Sequence, residues 1–366
     1  MAAAVTRTGP EVAMHPQLQP LSEQLAAYLT RRWDEPVTVT SIEQIPGGAS
    51  RETYRVGLHT PAGERGVIVR RDPKTSLIDT ERALEYRTYE AVHGSGIPVP
   101  EPLILEEDPR HLERPFSVMS EIAGCQSAVA TLFEPPYAEQ RQRIGERKWS
   151  LMGRLAALDP GELGVTDFMA EPEHPAAHEL DYWAGVIAAD ALHPQPVAQA
   201  AIRWLRRHLP EPSPRRCLVH GDFRSGNFLF DEHGDIHGIL DWEMAHIGDP
   251  LEDLAWSLDP LWAWPERELA GGLLPREEAI RIWEAASGMP VDRAALRWWQ
   301  VFASLKGVAI WISSTEDFVM GESKEPILAV AGWLMTDRQN RILVDRLHPA
   351  STHQYAEPLE PLEPLL

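Results

Sequence analysis

The chain has 366 residues, and its hydrophobic share of 43% is enough for a sizeable buried core. The length predicts two domains or lobes. The net charge of −21, from 55 acidic and 34 basic residues, argues against a nucleic-acid-binding protein, because such a protein needs a basic face to displace the counterions of phosphates.

The sequence carries no signal for a membrane or for secretion. No run of 18 or more apolar residues predicts a membrane span, and residues 1–20 lack the apolar stretch of a secretory signal. The two cysteines, Cys125 and Cys217, provide neither a disulfide framework nor zinc-ligand spacing. We therefore expect a cytoplasmic protein with no membrane or nucleic-acid partner, and we leave open a homodimer.

The first third of the chain is rich in predicted strands. Residues 1–20 are expected to form a flexible lead-in, and Gly47 and Gly48 to form the turn of a hairpin. Apolar spacing and turn residues predict a helix over 21–33, strands over 37–45, 53–58 and 66–70, a helix over 79–93, an extended segment over 97–100 and a strand over 116–119.

After Gly124 the predicted elements are mostly helices. The repeat of proline, leucine and glutamate near the end predicts an extended tail, because dense proline prevents a helix. The elements are helices over 138–158, 179–190 and 197–208, strands over 217–219, 228–230 and 236–240, and a helical, tryptophan-rich remainder from 250. The resulting division is a lead-in over 1–20, one lobe over 21–122, a second over 123–350 and a tail over 351–366.

Three polar residues at the ends of short strands indicate phosphoryl transfer. Asp222 and Asn227 lie in a loop between two apolar strands, and Asp241 ends the next strand. Phosphoryl transfer needs a carboxylate that deprotonates the acceptor hydroxyl, oxygen ligands for magnesium, and cations that offset developing charge. The interval of five residues from Asp222 to Asn227 matches the kinase catalytic loop. We predict Asp222 as the catalytic base, and Asn227 and Asp241 as Mg²⁺ ligands.

These segments resemble the aminoglycoside phosphotransferase family, which shares a protein-kinase-like fold with choline and fructosamine kinases. The resemblance covers roughly residues 20–340. Its motifs are Pro46-Gly-Gly-Ala-Ser-Arg51, Val69-Arg-Arg71, Glu85-Tyr86, Ile97-Pro-Val-Pro100, Phe116-Ser-Val-Met119, His220-Gly-Asp-Phe-Arg-Ser-Gly-Asn227, Leu240-Asp-Trp-Glu243 and Gly248-Asp-Pro-Leu-Glu-Asp-Leu-Ala255. It implies an α+β, two-lobed fold with a small antiparallel-sheet N-lobe that binds nucleotide and a larger, mostly helical C-lobe with the catalytic loop and acceptor site.

The resemblance also implies roles for further residues in an ATP- and Mg²⁺-dependent enzyme. Arg224 would face the γ-phosphate. The remaining nucleotide contacts would come from a phosphate loop, a cation with its helix partner, and a hinge: Gly47, Gly48, Arg70, Glu85, Ser120, Glu121 and Ile122. Arg70 stands where relatives usually carry lysine, which keeps the charge but changes the geometry.

Within the family the chain resembles most the kinase-like domains that are fused to acyl-CoA dehydrogenases. That resemblance implies a hydroxyacyl-CoA or related hydroxy acid as the small-molecule alcohol that accepts the phosphate. A CoA ester would need basic residues near its phosphates, for which the candidates are Arg203, Arg206, Arg207, Arg215 and Arg216.

Two other functions stay open from the sequence. An aminoglycoside kinase would need an acidic acceptor pocket, for which the candidates are Glu252, Asp253, Asp259, Glu266 and Glu268. A catalytically idle nucleotide-binding scaffold is the third alternative, which the intact catalytic set disfavours.

Several polar residues are expected to be structural. His220 is predicted to bond the backbone near Asp241, and Asp253 to brace the catalytic loop. Four tryptophans are expected to pack in a helical core, with the lining of an acceptor pocket as the alternative: Trp183, Trp298, Trp299 and Trp311.

Overall fold

A computed structural model describes residues 16–45, 52–72, 79–263, 266, 268–321 and 326–348. By its contacts the chain divides into two compact units, the first built from residues 1–83 and 100–123 and the second from 84–99 and 124–366. The predicted turn at Gly47 and Gly48 and the predicted tail over 351–366 lie outside the described residues. The lead-in predicted over 1–20 is wrong for its last residues, because a helix begins at Gln19.

The first unit is one helix packed on an antiparallel sheet. Its elements are α1 (Gln19–Trp33), β1 (Thr38–Ile45), β2 (Glu52–Thr60), β3 (Gly63–Arg71), the start of α2 (Asp79–Val92), β4 (Pro102–Glu106) and β5 (Phe116–Ser120). The strands lie in the order β1-β2-β3-β5-β4. The edge strand β4 was not predicted. It begins at a proline, which a sheet accepts at an edge because no ladder hydrogen bond is lost there.

The core of the first unit follows from the alternation of apolar residues along the strands. Val56 and Leu58 of β2 and Val67 of β3 are fully buried, and Leu25 and Leu29 of α1 pack in the same cluster. Successive strand side chains point to opposite faces, so one face of the sheet collects these residues. Each such side chain contributes about 1.5–3 kcal/mol through burial.

The second unit is mostly helical. Its elements after α2 are α3 (Arg141–Ala157), α4 (Pro175–Asp190), α5 (Pro196–Arg207), β6 (Cys217–Val219), β7 (Phe228–Phe230), β8 (Ile236–Ile239), β9 (His246–Gly248), α6 (Leu251–Ser257), β10 (Leu269–Ala270), β11 (Leu274–Pro275), α7 (Arg276–Ser287), α8 (Arg293–Met320) and α9 (Pro326–Leu347). The short strands form three antiparallel pairs, β6 with β9, β7 with β8 and β10 with β11. The predicted α+β composition is confirmed.

The long helix α8 runs through the core of the second unit. Trp298 and Trp299 are buried on it, and the Trp298 ring stacks on Phe302 with 5.7 Å between the ring centroids. Core packing of these tryptophans is confirmed. Among the described residues, every helix is too short or too polar to span a lipid bilayer. Helix α8 also carries Lys306 into the interior, where its side chain is 1% exposed.

Candidate active site

The loop between β6 and β7 is held by Asp253 of helix α6, the helix that follows β9. Oδ2 of Asp253 accepts a hydrogen bond from the backbone N–H of His220 at 2.7 Å, and Oδ1 accepts one from Gly221 at 3.0 Å. Gly221 has φ of +84°, and a side chain there would also meet the Met244 carbonyl oxygen at 2.5 Å. Only glycine fits both conditions. The predicted bracing role of Asp253 is confirmed.

His220 joins this loop to the chain just before Asp241. Its Nε2 donates to the Leu240 carbonyl at 2.8 Å, and its Nδ1 accepts from the backbone N–H of Asp222 at 3.1 Å. This pattern requires the neutral ring with the proton on Nε2. Because the ring is fully buried, it acts as a fixed spacer between the two segments. The predicted structural role is confirmed.

Three donors surround the carboxylate of Asp222. Trp256 Nε1 donates to Oδ1 at 2.8 Å, Asn227 Nδ2 donates to Oδ2 at 2.8 Å, and Arg224 Nε donates to Oδ2 at 3.0 Å. These bonds fix the rotamer of the carboxylate. The contact with Trp256 was not predicted, because a tryptophan in a helix gives no sign in the sequence of which group its N–H will meet.

Asn227 and Asp241 are brought together by the β7–β8 hairpin. Phe228 pairs with Ile239, and the Leu240 N–H donates to the Asn227 carbonyl at 2.8 Å, so Asn227 and Asp241 emerge at the same end of the hairpin. The backbone of Asp241 has φ of +63°, and its N–H donates to the Tyr89 hydroxyl at 3.1 Å. An amide oxygen and a carboxylate are hard oxygen ligands of the kind that Mg²⁺ prefers, so the donor set fits this metal.

Arg224 contacts Asp222, the predicted catalytic base. Besides its bond to Asp222, its guanidinium lies 5.3 Å from the ring centroid of Trp262. Its NH1 group also lies over Gly226, where a side-chain carbon would come within 2.5 Å. The arginine is therefore held beside the predicted base, and its role at the γ-phosphate stays a prediction.

The two arginines at the end of β3 differ in their surroundings. Arg71 is buried, and its guanidinium donates to the Glu52 carboxylate at 2.7 Å and to the Leu112 carbonyl at 3.2 Å. Burial would raise the pKa of Glu52, but the hydrogen bonds from Arg71, Arg114 and Tyr54 outweigh it and lower that pKa to about 2. Arg70 is half-buried on the other face of the strand. Alternation thus leaves Arg70 as the candidate for nucleotide contact.

The predicted hinge lies at the end of β5 in the first unit. The Ser120 N–H donates to the Glu101 carbonyl at 2.9 Å, and the Glu121 N–H donates to the Gly66 carbonyl at 3.0 Å. The Glu121 carboxylate also pairs with Arg55 at 2.9 Å. Ile122 follows, half-buried. Glu85 belongs to the second unit, where it is buried on α2. The nucleotide contacts of these residues, and the pairing of Glu85 with Arg70, stay predictions.

Three of the five acidic residues considered for an aminoglycoside pocket are buried. Glu252, Asp253 and Asp259 are at most 5% exposed and bind groups of the protein itself. Asp259 pairs with Arg346 at 2.9 Å, and Asp253 accepts the loop N–H groups. That interpretation of these three residues is wrong, because a pocket for ammonium groups must present its carboxylates to a ligand. Glu266 and Glu268 are exposed.

The sequence matches a known family over most of its length. The profile of the phosphotransferase enzyme family, APH, matches residues 41–299, and the chain belongs to this family. Membership of this family of phosphotransferase enzymes confirms the predicted class of phosphotransferase.

Curated relatives are acyl-CoA dehydrogenase family members. The chain is 29% identical to member 10 of Mus musculus over 58% of its own length and 20% of the relative's. It is 27% identical to member 11 of Gallus gallus over 63% of its own length and 29% of the relative's. The chain thus spans less than a third of either relative. The predicted resemblance to the kinase-like domain of this branch is confirmed.

Solved structures share the fold. A provisionally assigned aminoglycoside phosphotransferase from Ralstonia eutropha superposes with a TM-score of 0.70 at 20% identity, covering 88% of this chain and 98% of that one. An ethanolamine kinase from Plasmodium vivax gives 0.61 at 10% identity, with 91% of each chain covered. The predicted protein-kinase-like fold is confirmed.

Proposed function

We propose that the protein transfers the γ-phosphate of ATP, with Mg²⁺, to the hydroxyl of a hydroxyacyl-CoA or a related hydroxy acid. The observation that carries the phosphotransfer chemistry is the convergence of Asp222, Asn227 and Asp241. One loop and one hairpin of the second unit bring them together, and the Asn227 amide bonds the Asp222 carboxylate directly.

Asp222 would act as the general base. Its carboxylate, held by Trp256 and Asn227, would accept the proton of the acceptor hydroxyl as that oxygen attacks the γ-phosphorus. Arg224 lies beside the carboxylate, where it would offset negative charge on the transferred group. Mg²⁺, held by Asn227 and Asp241, would neutralise charge on the phosphate oxygens.

Nucleotide contacts are proposed for the residues that the family motifs designate. Arg70 would bind phosphate, since a guanidinium can hold two phosphate oxygens at once. Glu85 would orient that arginine. The backbone groups of 120–122 would contact the base, and Gly47 and Gly48 would allow the main chain to approach the phosphates.

Two observations favour an acyl-CoA acceptor over an aminoglycoside. Three of the carboxylates that an aminoglycoside site could have used are committed to internal bonds. The curated relatives are named for acyl-CoA chemistry. Of the basic residues proposed for CoA phosphates, Arg203 and Arg207 are exposed, whereas Arg216 bonds the Glu173 carbonyl at 2.9 Å.

An acceptor panel coupled to ADP release tests the proposal. Hydroxyacyl-CoAs, aminoglycosides and simple amino alcohols are compared under one set of conditions, with product phosphorylation followed by mass spectrometry. We expect turnover with hydroxyacyl-CoAs, and its loss in Asp222→Ala while nucleotide binding survives. Turnover only with aminoglycosides would overturn the hydroxyacyl-CoA assignment and make an aminoglycoside the acceptor. Nucleotide binding without turnover on any acceptor would support the idle scaffold instead.

A further inference from the structure

A buried lysine and a buried tryptophan lie against the Asp222 loop without belonging to any motif of the sequence. Lys306 comes from α8 and is 1% exposed, and Trp256 comes from α6 and is 2% exposed. The Lys306 ammonium lies 5.3 Å from the Trp256 ring centroid. The two side chains therefore touch each other as well as the loop.

Each of the two holds one part of Asp222. Trp256 Nε1 donates to carboxylate Oδ1 at 2.8 Å. Lys306 Nζ donates at 2.8 Å to the Gly221 carbonyl, which is the oxygen of the peptide bond that precedes Asp222. The first bond fixes the side-chain rotamer and the second fixes the backbone from which the side chain extends. A general base that takes a proton from one hydroxyl needs a fixed rotamer and a fixed backbone, because both determine where its carboxylate lies.

The charge on Lys306 is balanced by a network of ion pairs with Glu252, His246 and Glu179. Its ammonium pairs with Glu252 at 3.2 Å, and Glu252 pairs with His246 Nε2 at 3.1 Å. His246 Nδ1 donates to the Met244 carbonyl at 3.0 Å. Because both ring nitrogens of His246 face acceptors, the ring carries both protons. Glu179, 3.7 Å from His246, completes a set of two cations and two anions.

This balance argues against a metal at the same place. Glu179, His246 and Glu252 lie close enough together to bind an ion. However, the Lys306 ammonium already pairs with Glu252, and His246 would have to give up a proton to become a ligand. The positive charges of Lys306 and His246 already neutralise the carboxylates that would otherwise bind a cation.

We propose that Trp256 and Lys306 are positioning residues for Asp222, with Trp256 orienting the carboxylate and Lys306 fixing the Gly221–Asp222 peptide and the Trp256 ring. The inference rests on the proposed function of Asp222 as the base. It assigns a task to two side chains that the family motifs do not mark.

Trp256→Phe tests the first bond, because it removes the N–H donor and keeps an aromatic ring beside Lys306, although it also removes ring volume. We expect kcat to fall by about tenfold, while KM for ATP stays within twofold, since the ground-state contacts of the nucleotide are untouched. Trp283→Phe is the matched control: it is a buried tryptophan on α7 whose N–H has no partner among the described residues. We expect the control to keep wild-type kcat.

Lys306→Met alone leaves two buried carboxylates against one cation, and this variant would lose stability for that reason. The double variant Lys306→Met with Glu252→Gln keeps one cation against one anion. We expect the double variant to recover most of the wild-type melting temperature but to retain a kcat loss of about tenfold, because the Gly221 carbonyl still lacks its donor.

Three outcomes separate the inference from the proposed function. A wild-type protein that shows no phosphotransfer to any acceptor would overturn the proposed function, and the inference with it. An active wild type with unchanged kcat in Trp256→Phe and in the folded double variant would overturn the inference alone. A kcat loss that the Trp283→Phe control shares would show that Trp256 acts through general packing, which would overturn its positioning role.

Discussion

The amide of Asn227 donates two hydrogen bonds to Asp222, one to its backbone carbonyl at 2.9 Å and one to carboxylate Oδ2 at 2.8 Å. The nitrogen of the amide is thereby committed, so its oxygen is the atom left to bind a cation. The proposed base and the proposed metal site are therefore joined through one amide, whose nitrogen orients the base and whose oxygen is left for the metal, so these two tasks can be changed separately.

Substitutions at Asn227 and Asp241 separate these tasks. Asn227→Asp keeps an oxygen ligand for Mg²⁺ but sets a second carboxylate against that of Asp222, where the two like charges repel each other. We expect kcat to fall by a factor of about 100, while the Mg²⁺ concentration for half-maximal activity changes little. Asp241→Asn removes a charge from the metal, so we expect that concentration to rise at least about tenfold. Magnesium titrations of initial rate measure both. Equal metal requirements in the two variants would contradict the assignment.

The arginine pair at the end of β3 offers a second comparison. Arg71→Met breaks the pair with the half-buried Glu52, which keeps Arg114 and Tyr54 as partners, so we expect a loss of about 1.5–3 kcal/mol in the free energy of unfolding. Arg70→Met is expected to raise KM for ATP several-fold with a much smaller effect on stability. Urea denaturation and ATP titration of both variants measure the two effects. If instead Arg71→Met raised KM for ATP and Arg70→Met lowered stability, Arg71 would be the residue that contacts the nucleotide.

The sequence predicted the parts of the site that are local. Asp222 and Asn227 share one loop, and Asp241 follows a strand that pairs with the strand after that loop, so spacing and alternation were sufficient. Trp256 and Lys306 were missed because they reach Asp222 and Gly221 from 34 and 85 residues away. Local patterns carry no information about such contacts.

Burial was the second quantity that the sequence did not provide. Glu252 and Asp259 were candidates for an acidic acceptor pocket, yet each pairs with a cation from a distant helix, Lys306 in one case and Arg346 in the other. Composition counts charges, but it does not say which of them are neutralised inside the core.

His246 is expected to make stability fall as the pH rises. Burial lowers its pKa, but Glu252 and Glu179 outweigh that effect and raise the pKa from 6.5 to about 9. The protonated ring therefore stabilises the fold fully below pH 6.5, and the contribution is lost as the pH rises through about 9. His246→Gln should be less stable than the wild type by a few kcal/mol at pH 6, and this difference should shrink by pH 9.5. The exposed His233→Gln is the control, and a pH-independent difference in His246→Gln would contradict the assignment.

Lys148 has the opposite effect on the pH dependence of stability. It is fully buried on α3 between the rings of Trp149 and Phe228, and Ser225 Oγ at 3.5 Å is its one hydrogen-bond partner among the described residues. Burial, with a smaller effect of Arg224, lowers its pKa from 10.5 to about 7. Between those values the unfolded chain binds the proton and the folded chain does not, so stability rises with pH across this window.

Lys148→Met should therefore stabilise the protein, by a few kcal/mol at pH 7 and progressively less toward pH 10.5. Lys148→Arg is the matched contrast, because a guanidinium cannot lose its proton and should destabilise the fold at every pH. The wild-type profile alone hides the effect, since the slopes from Lys148 and His246 have opposite signs between pH 7 and 9. Guanidinium denaturation of each variant and the wild type at pH 7, 8.5 and 10 isolates it. A Lys148→Met variant less stable than the wild type at pH 7 would show that the ammonium is paired in solution.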